Sequence, residues 1–411
     1  MRSPAMLPLL CVALGLACGE CRAEPPPALA APLPALAEEA APTLGQELRE
    51  GFFSRVNVFG FVLRQDTDDA YVNQLGAPGI ARTQKQLDLR PDFNLKWRQL
   101  ELDLKPRVQW ARTRTDYADQ LQRDDHGNRS FINEGSVRYR LNDRLIVSYG
   151  RENLQWGPSA LLSPSNPFNA SNGRNNPNLE LPGLDYARVV YVASPEWTVS
   201  VIANTGRGRL DPINLYRKAY AAKVDYTGEG HYYSLLVSRA EGEGTRIGGF
   251  AGWDVNDALS LHAEGSAGTR REGALSDRRD RQLLAGATYT FEYGGALSLE
   301  YFHRNDGCGD VPIQSCAALQ GSPVDPVHPL LRRRYAMLQY TDTRIADRLN
   351  LVLRLVRNLD DQSSQLVVNL ELELGNHWQV YAIPTFYHGK RDSEFGSLLR
   401  RSFFVGASYT F

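Results

Sequence analysis

The sequence predicts an all-β fold, a transmembrane antiparallel up-and-down β-barrel of about eighteen strands. The first observation is that apolar and polar residues alternate from Ser54 to the last residue. The second is that short and long connections alternate between the predicted strands. The third is that the chain has an N-terminal export signal and ends on an amphipathic strand that closes with Phe411. Such strands can form a closed sheet whose apolar face meets lipid.

The N-terminal residues have the organisation of a cleavable signal peptide. Arg2 supplies a positive charge, Leu7 to Ala17 form an apolar segment, and Ala23 is the small residue that signal peptidase requires. The apolar segment is too short to cross a bilayer as a helix. We therefore interpret residues 1–23 as a signal peptide and expect the mature chain to begin at Glu24.

A lipoprotein signal is the alternative for this region. Cys18 would then carry a lipid anchor, although Gly15 stands where such a signal usually has Leu. The mass of the mature protein separates the two interpretations.

Residues 24–50 are predicted to form a periplasmic leader. They are rich in Ala and Pro and cannot bury much surface. A short helix can form near Leu44 to Arg49. Residues 51–411 then make up the barrel.

Composition excludes several other classes of protein. The chain is 42% hydrophobic and 23% charged, with a formal net charge of -1. This composition fits neither a disordered chain nor a nucleic-acid-binding protein. After residue 23 we find no apolar run of about 18 residues, so the sequence predicts no membrane-spanning helix. The seven His residues show no metal-ligand spacing, and we expect no metal and no cofactor.

The alternation is clearest in four segments, which are Gln86–Arg90, Gln99–Lys105, Val137–Leu141 and Val368–Leu374. Successive side chains of a strand point to opposite faces, so each segment has one apolar and one polar face. A soluble β-sandwich alternates in the same way. However, many of the predicted strands run for about ten residues, as tilted membrane strands do. The third strand is predicted over Gln99–Arg112 and the fourth over Phe131–Leu141.

The connections support the membrane interpretation. Short turns such as Asn142-Asp143 and Gly375-Asn376 alternate with longer polar segments such as Gln155–Gly183 and Asn305–Leu331. Outer-membrane barrels have short periplasmic turns and longer outer loops. The strand count is even, and both chain ends fall on the short-turn side, as single-chain bacterial barrels require.

The C-terminal strand resembles the assembly signal of outer-membrane barrels. Gly406 is followed by apolar or aromatic residues at alternate positions, including Tyr409, and the chain ends on Phe411. The resemblance implies recognition by the barrel-assembly machinery, and deletion of Phe411 should impair assembly. The residues expected to face lipid are Phe403, Val405, Ala407, Tyr409 and Phe411.

Charged residues form a ladder on the face of three strands that lies opposite the leucines. The inward set is Asp88, Arg90, Asp92, Lys96, Glu101, Asp103, Lys105, Arg107, Arg138 and Arg140. Opposite charges on neighbouring strands can form cross-strand pairs that keep a lumen wet and rigid. Alternatively, because most basic residues are Arg, the ladder can select anionic solutes at a constriction.

The segment from Gly150 to Leu184 is the most unusual connection. It is stiffened by prolines, carries few charges, and offers two aromatic rings among many amides. The candidate constriction residues are Trp156, Asn166, Phe168, Asn172 and Asn175. Such a loop can fold into a barrel and narrow it, and its amides beside aromatic faces suit sugars. If it folds inward, it should face Arg138 and Arg140 on the fourth strand. It can equally be a surface loop without a ligand.

Its GR…WG…SxSN pattern resembles polysaccharide-related barrels, namely the alginate-export and capsule-assembly families. Those families also have eighteen strands. The resemblance implies export or anchoring of an acidic polysaccharide.

Cys308 and Cys316 lie close together in one polar segment of an exported chain. Export to an oxidising compartment favours a disulfide, which we expect in an outer loop.

We expect a porin-like channel in the outer membrane of a Gram-negative bacterium. It would pass small hydrophilic or anionic solutes, or export or anchor a polysaccharide, in contact with outer-membrane lipid and lipopolysaccharide. The alternative is a surface-binding barrel plugged by its own loops. An outer-membrane hydrolase, for which His388 and Ser393 are the nearest candidates, ranks third because no catalytic motif is found.

Overall fold

The computed structural model describes residues 43–67, 80–116, 122–169, 180–209, 216–272, 276–320 and 330–411. The predicted signal peptide and most of the predicted leader lie outside these residues. Two helices are present in the described chain, α1 (Leu44–Gly51) before the barrel and α2 (Ile313–Gln320) between the thirteenth and fourteenth strands. Helix α1 lies where the sequence predicted a short helix.

Eighteen antiparallel strands form the barrel. They are β1 Phe52–Thr67, β2 Ile80–Trp97, β3 Leu100–Asp116, β4 Gln122–Arg140, β5 Leu145–Glu152, β6 Leu184–Val192, β7 Trp197–Gly206, β8 Ala219–Gly228, β9 His231–Ala240, β10 Thr245–Asp254, β11 Leu259–Glu272, β12 Ser276–Thr290, β13 Ala296–Arg304, β14 Arg334–Ile345, β15 Leu349–Asn358, β16 Ser364–Leu374, β17 Trp378–His388 and β18 Leu399–Thr410.

The sheet closes on itself. Each strand pairs with its neighbours in sequence, and β1 pairs with β18 from Asn57 opposite Thr410 to Thr67 opposite Leu399. Closure leaves no unpaired edge strand. The predicted fold class and strand number are confirmed.

The two faces of the sheet differ as the alternation predicted. On β18 the outward Phe403 and Val405 are exposed, whereas the inward Ser402, Phe404 and Ser408 are buried. An exposed apolar face around a closed sheet is the surface that a barrel presents to lipid. Separately, no described helix is long and apolar enough to span a membrane.

One hairpin is longer than predicted. The sequence suggested that β3 ends before Thr113 and that β4 begins at Phe131, but the strands extend to Asp116 and from Gln122. The additional residues are polar on both faces and therefore show no alternation. Cross-strand contacts such as Arg112 with Asp124, at 3.6 Å, accompany the extension.

The first strand begins and the last strand ends on the short-turn side of the barrel. The backbone N–H of Phe411 donates to the Val56 carbonyl at 2.9 Å, and the Phe411 ring lies 4.7 Å from that of Tyr409. Glu47 of α1 accepts from Trp97 Nε1 at 2.9 Å, which ties the helix to the first short turn.

The Cys308–Cys316 disulfide is present in the connection between β13 and β14, with the Cα atoms 5.7 Å apart. It joins the start of this connection to helix α2, whose Ile313 is fully buried.

Candidate constriction of the lumen

The connection between β5 and β6, residues 153–183, leaves the wall partway up the barrel. Strand β4 extends to Gln122, but its pairing with β5 stops where Gly135 meets Arg151. The chain therefore turns away from the wall well below the outer rim. We call this connection the inward loop. Its described parts are residues 153–169 and 180–183.

Two inward carboxylates on the far side of the barrel hold the inward loop. Glu264 of β11 accepts hydrogen bonds from the hydroxyls of Ser159 (3.0 Å), Ser163 and Ser165 (2.6 Å). Glu300 of β13 accepts from the backbone N–H of Ala160 at 2.7 Å and of Leu161 at 2.9 Å. Both carboxylates are only 1% exposed. The loop thus spans the lumen from β5 to the opposite wall.

Gly157 allows this approach. Its φ is +89°, and a Cβ built there would lie 2.3 Å from Glu264 Oε2. A larger residue would be strained in backbone and would displace the carboxylate.

The loop tip also packs apolar side chains against the same wall. Leu161 and Leu162 join a buried cluster with Leu284, Phe302, Tyr335, Met337 and Val356 of β12 to β15, and with Phe395 from the connection after β17. We call the inner face of β11–β15 the anchor wall. Burial of two Leu side chains stabilises the seated loop by about 3–6 kcal/mol as an upper estimate.

The predicted aromatic and amide residues stabilise the base of the loop. Trp156 and Phe168 meet edge to face with centroids 5.8 Å apart, and Phe168 meets Tyr186 at 5.1 Å. Asn166 donates to the Leu154 carbonyl at 3.0 Å and accepts from the Phe168 N–H at 3.0 Å. These side chains make ring contacts and hydrogen bonds that hold the loop in place. This disfavours the interpretation that they stack against sugars. Asn172 and Asn175 lie outside the described residues.

The returning part of the loop contacts the near wall through Arg107. This inward residue of β3 binds Glu180 at 2.6 Å and Asp92 of β2 at 2.9 Å. It also donates to the Pro91 and Pro106 carbonyls, both at 2.8 Å. All three nitrogens of the guanidinium therefore donate hydrogen bonds to protein oxygens.

The other predicted pore-lining residues form a set of ion pairs on β2–β4, whose inner face we call the ladder wall. Lys105 pairs with Glu134 at 3.0 Å, and Arg138 pairs with Glu101 at 2.9 Å. Further contacts join Asp88 with Arg90 at 2.6 Å and Asp103 with Asn94 at 2.7 Å. The predicted cross-strand pairs are therefore present.

Arg138 and Arg140 were expected to face the inward loop. They lie instead near the short-turn end of β4, opposite Ser148 and Ile146 of β5, because β5 is only eight residues long and the loop leaves above them. Arg107 takes the position that was expected for them.

A third inward surface is aromatic. Phe404 of β18 stacks with Phe59 and with Phe61 of β1, next to Tyr381 of β17. The guanidinium of Arg90 lies 4.3 Å above the Phe59 ring. A cation thus lies at the border between the ladder wall and the aromatic surface.

The outer connections near the anchor wall share a buried carboxylate, Glu394. It accepts from the Leu331 N–H at 2.6 Å, from Asn358 Nδ2 at 2.7 Å and from the Tyr335 hydroxyl. Burial raises the pKa of Glu394 above its ordinary value, and the hydrogen bond from Tyr335 opposes this shift. Next to it, the Ser393 hydroxyl donates to the Lys390 carbonyl at 2.7 Å and so serves the turn.

Sequence reasoning missed the anchor residues Glu264 and Glu300. Each is the single carboxylate of a strand segment that consists mostly of small or apolar residues, LHAEGSAG and SLEYF. A carboxylate in such a strand needs donors from elsewhere in the chain, and the closely spaced Ser159, Ser163 and Ser165 were available as a signal.

The fold resembles solved channel structures. OccK7 (OpdD) of Pseudomonas aeruginosa is 12% identical, with 88% of this chain and 98% of that chain covered and a TM-score of 0.60. OpdK of the same organism, determined with vanillate, is 10% identical over 88% and 99% of the two chains, with a TM-score of 0.59. OccAB3 of Acinetobacter baumannii is 11% identical over 88% and 99%, with a TM-score of 0.57. No protein-family model matches the sequence, and comparison with curated proteins gives no match.

OccK and Opd proteins are outer-membrane barrels of eighteen strands. The closed sheet of eighteen strands with its apolar outer face places the chain in the outer membrane of a Gram-negative bacterium. The predicted resemblance to alginate-export and capsule-assembly barrels is not supported by these neighbours, which are small-solute channels.

Proposed function

We propose that the chain is a porin-like channel that passes small hydrophilic solutes and prefers small anions. The observation that carries the proposal is the inward loop, which crosses the lumen and is held on the anchor wall by Glu264 and Glu300. A barrel of eighteen strands is wide enough for an aqueous channel. A loop fixed across it restricts passage to small solutes.

The preference for anions rests on Arg90 and its surroundings. The Arg90 guanidinium lies against the Phe59 ring, which belongs to the same cluster as Phe61 and Phe404. Such an arrangement suits a carboxylate attached to a ring, since the guanidinium binds the carboxylate and the aromatic surface accommodates the ring. The OpdK structure contains vanillate, an aromatic carboxylate. Because the Asp88 carboxylate lies 2.6 Å from Arg90, we expect the preference to be modest.

Planar-bilayer recording tests the proposal. We expect the purified protein to conduct, with an anion preference that weakens at 1 M salt, where the Debye length falls to about 3 Å. Removal of Ser163–Asn178 should raise the conductance, and Arg90→Gln should reduce the anion preference. Cation selectivity of the wild type would contradict the anionic part, and unchanged conductance after loop removal would contradict the constriction.

A plugged, surface-binding barrel is the second candidate. It is favoured by the close packing of Leu161, Leu162 and Phe395 in one buried cluster, which joins the inward loop to an outer connection. The same recordings separate the two. A wild type that does not conduct, together with a loop-deleted variant that does, would establish the plug.

A further inference from the structure

Outward cations follow the apolar belt on four adjacent strands, toward the end of each strand that lies away from the short turns. The apolar residues are Phe403, Val62, Leu87 and Trp110, all exposed on the outer face of β18, β1, β2 and β3. Two positions further along each strand, toward the outer rim, stand Arg401, Arg64, Lys85 and Arg112. We call these four cations the outer cation row.

The strand register brings the row together. Lys85 of β2 lies directly opposite Arg112 of β3, and Arg64 of β1 lies on the diagonal from Lys85 because Val62 is its direct partner. Like charges directly opposite on neighbouring strands repel one another. The side chains of Arg64 and Arg112 are 69% and 60% exposed, so they extend away from the barrel.

Carboxylates neutralise only part of the row. Asp66 contacts Arg401 at 2.6 Å and Arg64 at 3.7 Å, and Asp124 contacts Arg112 at 3.6 Å. Arg114, whose register partner is Asp124, adds a further cation next to the row. The outward surface above the apolar belt is therefore positive on these strands.

We propose that the outer cation row binds the phosphate groups of lipopolysaccharide, the phosphorylated glycolipid of the outer leaflet. The row lies where the apolar belt ends on the long-connection side, which is the level of outer-leaflet headgroups. Arg binds phosphate through its planar fork, and Lys binds it as a point charge. The acyl chains of the same molecule would lie against Val62, Leu87 and Trp110. This site is separate from the lumen and does not depend on solute conduction.

The test is binding of diphosphorylated lipid A to the purified full chain in detergent, measured by native mass spectrometry. Lys85→Gln/Arg112→Gln should weaken binding about 25-fold, because each basic residue near a charged headgroup contributes about fivefold. The control is Arg144→Gln/Arg348→Gln, which removes two exposed cations from short turns. This control should bind as the wild type does. Heat-dependent migration in gels verifies that each variant is folded.

Three results would overturn the proposal. The first is unchanged binding by the folded Lys85→Gln/Arg112→Gln variant. The second is equal binding of lipid A from which the phosphates have been removed, since acyl chains alone would then account for the affinity. The third is complete displacement of lipid A by an equal concentration of inorganic phosphate, which would show that the row recognises free phosphate.

Discussion

The anchor wall and the ladder wall carry the same kind of residue, inward carboxylates, but give them different partners. On the ladder wall, Glu101 faces Arg138, and their side chains are 24% and 36% exposed. On the anchor wall, Glu264 and Glu300 are almost fully buried and accept hydrogen bonds from neutral donors of the inward loop. Apart from Arg107, which also binds Glu180 of the inward loop, the ion pairs of the ladder wall lie within the sheet, whereas the anchor-wall carboxylates are satisfied mainly by the loop.

Because of this difference, we expect the two walls to control different properties of the channel, the width of the lumen and its ion selectivity. A partly solvated ion pair contributes little to stability, because water competes for both charges. A buried carboxylate that loses its donors, or buried donors that lose their carboxylate, cost considerably more. Changes on the anchor wall should therefore alter the width of the lumen, and changes on the ladder wall should alter which ions pass.

The largest effect is expected from Glu264→Ala/Glu300→Ala. The variant removes the acceptors of three Ser hydroxyls and three backbone N–H groups and the carboxylate that contacts His262, and each unsatisfied buried donor costs about 1–3 kcal/mol. The inward loop should leave the anchor wall, and single-channel conductance should rise several-fold. Glu101→Ala is the matched ladder-wall control and should change conductance much less. Equal conductance of the folded double variant and the wild type would remove the distinction between the walls.

A smaller effect is expected from Arg107→Gln, compared with Arg138→Gln. The Arg107 side chain is 3% exposed and serves Glu180 and Asp92, whereas the Arg138 side chain is 36% exposed and serves Glu101. Loss of Arg107 should lower the free energy of unfolding by about 2–3 kcal/mol, and loss of Arg138 by about 1 kcal/mol or less. Thermal unfolding followed by circular dichroism measures both. Similar melting temperatures for the two variants would show that burial does not distinguish these pairs.

The strands could be predicted from the sequence because a lipid-facing sheet needs an apolar residue at every second position. The prolines and low charge of the loop left two alternatives open, an inward fold and a surface loop. The residues that the loop contacts on the anchor wall could not be predicted, because Glu264 lies about a hundred residues from the serines that it binds. No local sequence pattern joins them. The outer part of the β3–β4 hairpin was missed because both of its faces are polar.

Glu394 extends the anchor-wall pattern to the outer connections and gives the smallest expected effect. Its carboxylate is buried among neutral donors, and its pKa is raised above the ordinary value of 4.5. A carboxyl with a raised pKa in the folded state contributes stability that is fully present below pH 4.5 and is lost as the pH rises through the folded-state pKa. The Leu330 and Leu331 N–H groups, which donate to Glu394 Oε1, should therefore be better protected from hydrogen exchange at pH 5 than at pH 8, after correction for intrinsic rates. Glu394→Gln keeps the position neutral and should remove this dependence. If protection instead increased with pH, the hydrogen bonds to the ionised carboxylate would outweigh its burial, and Glu394 would behave as the paired carboxylates of the ladder wall do.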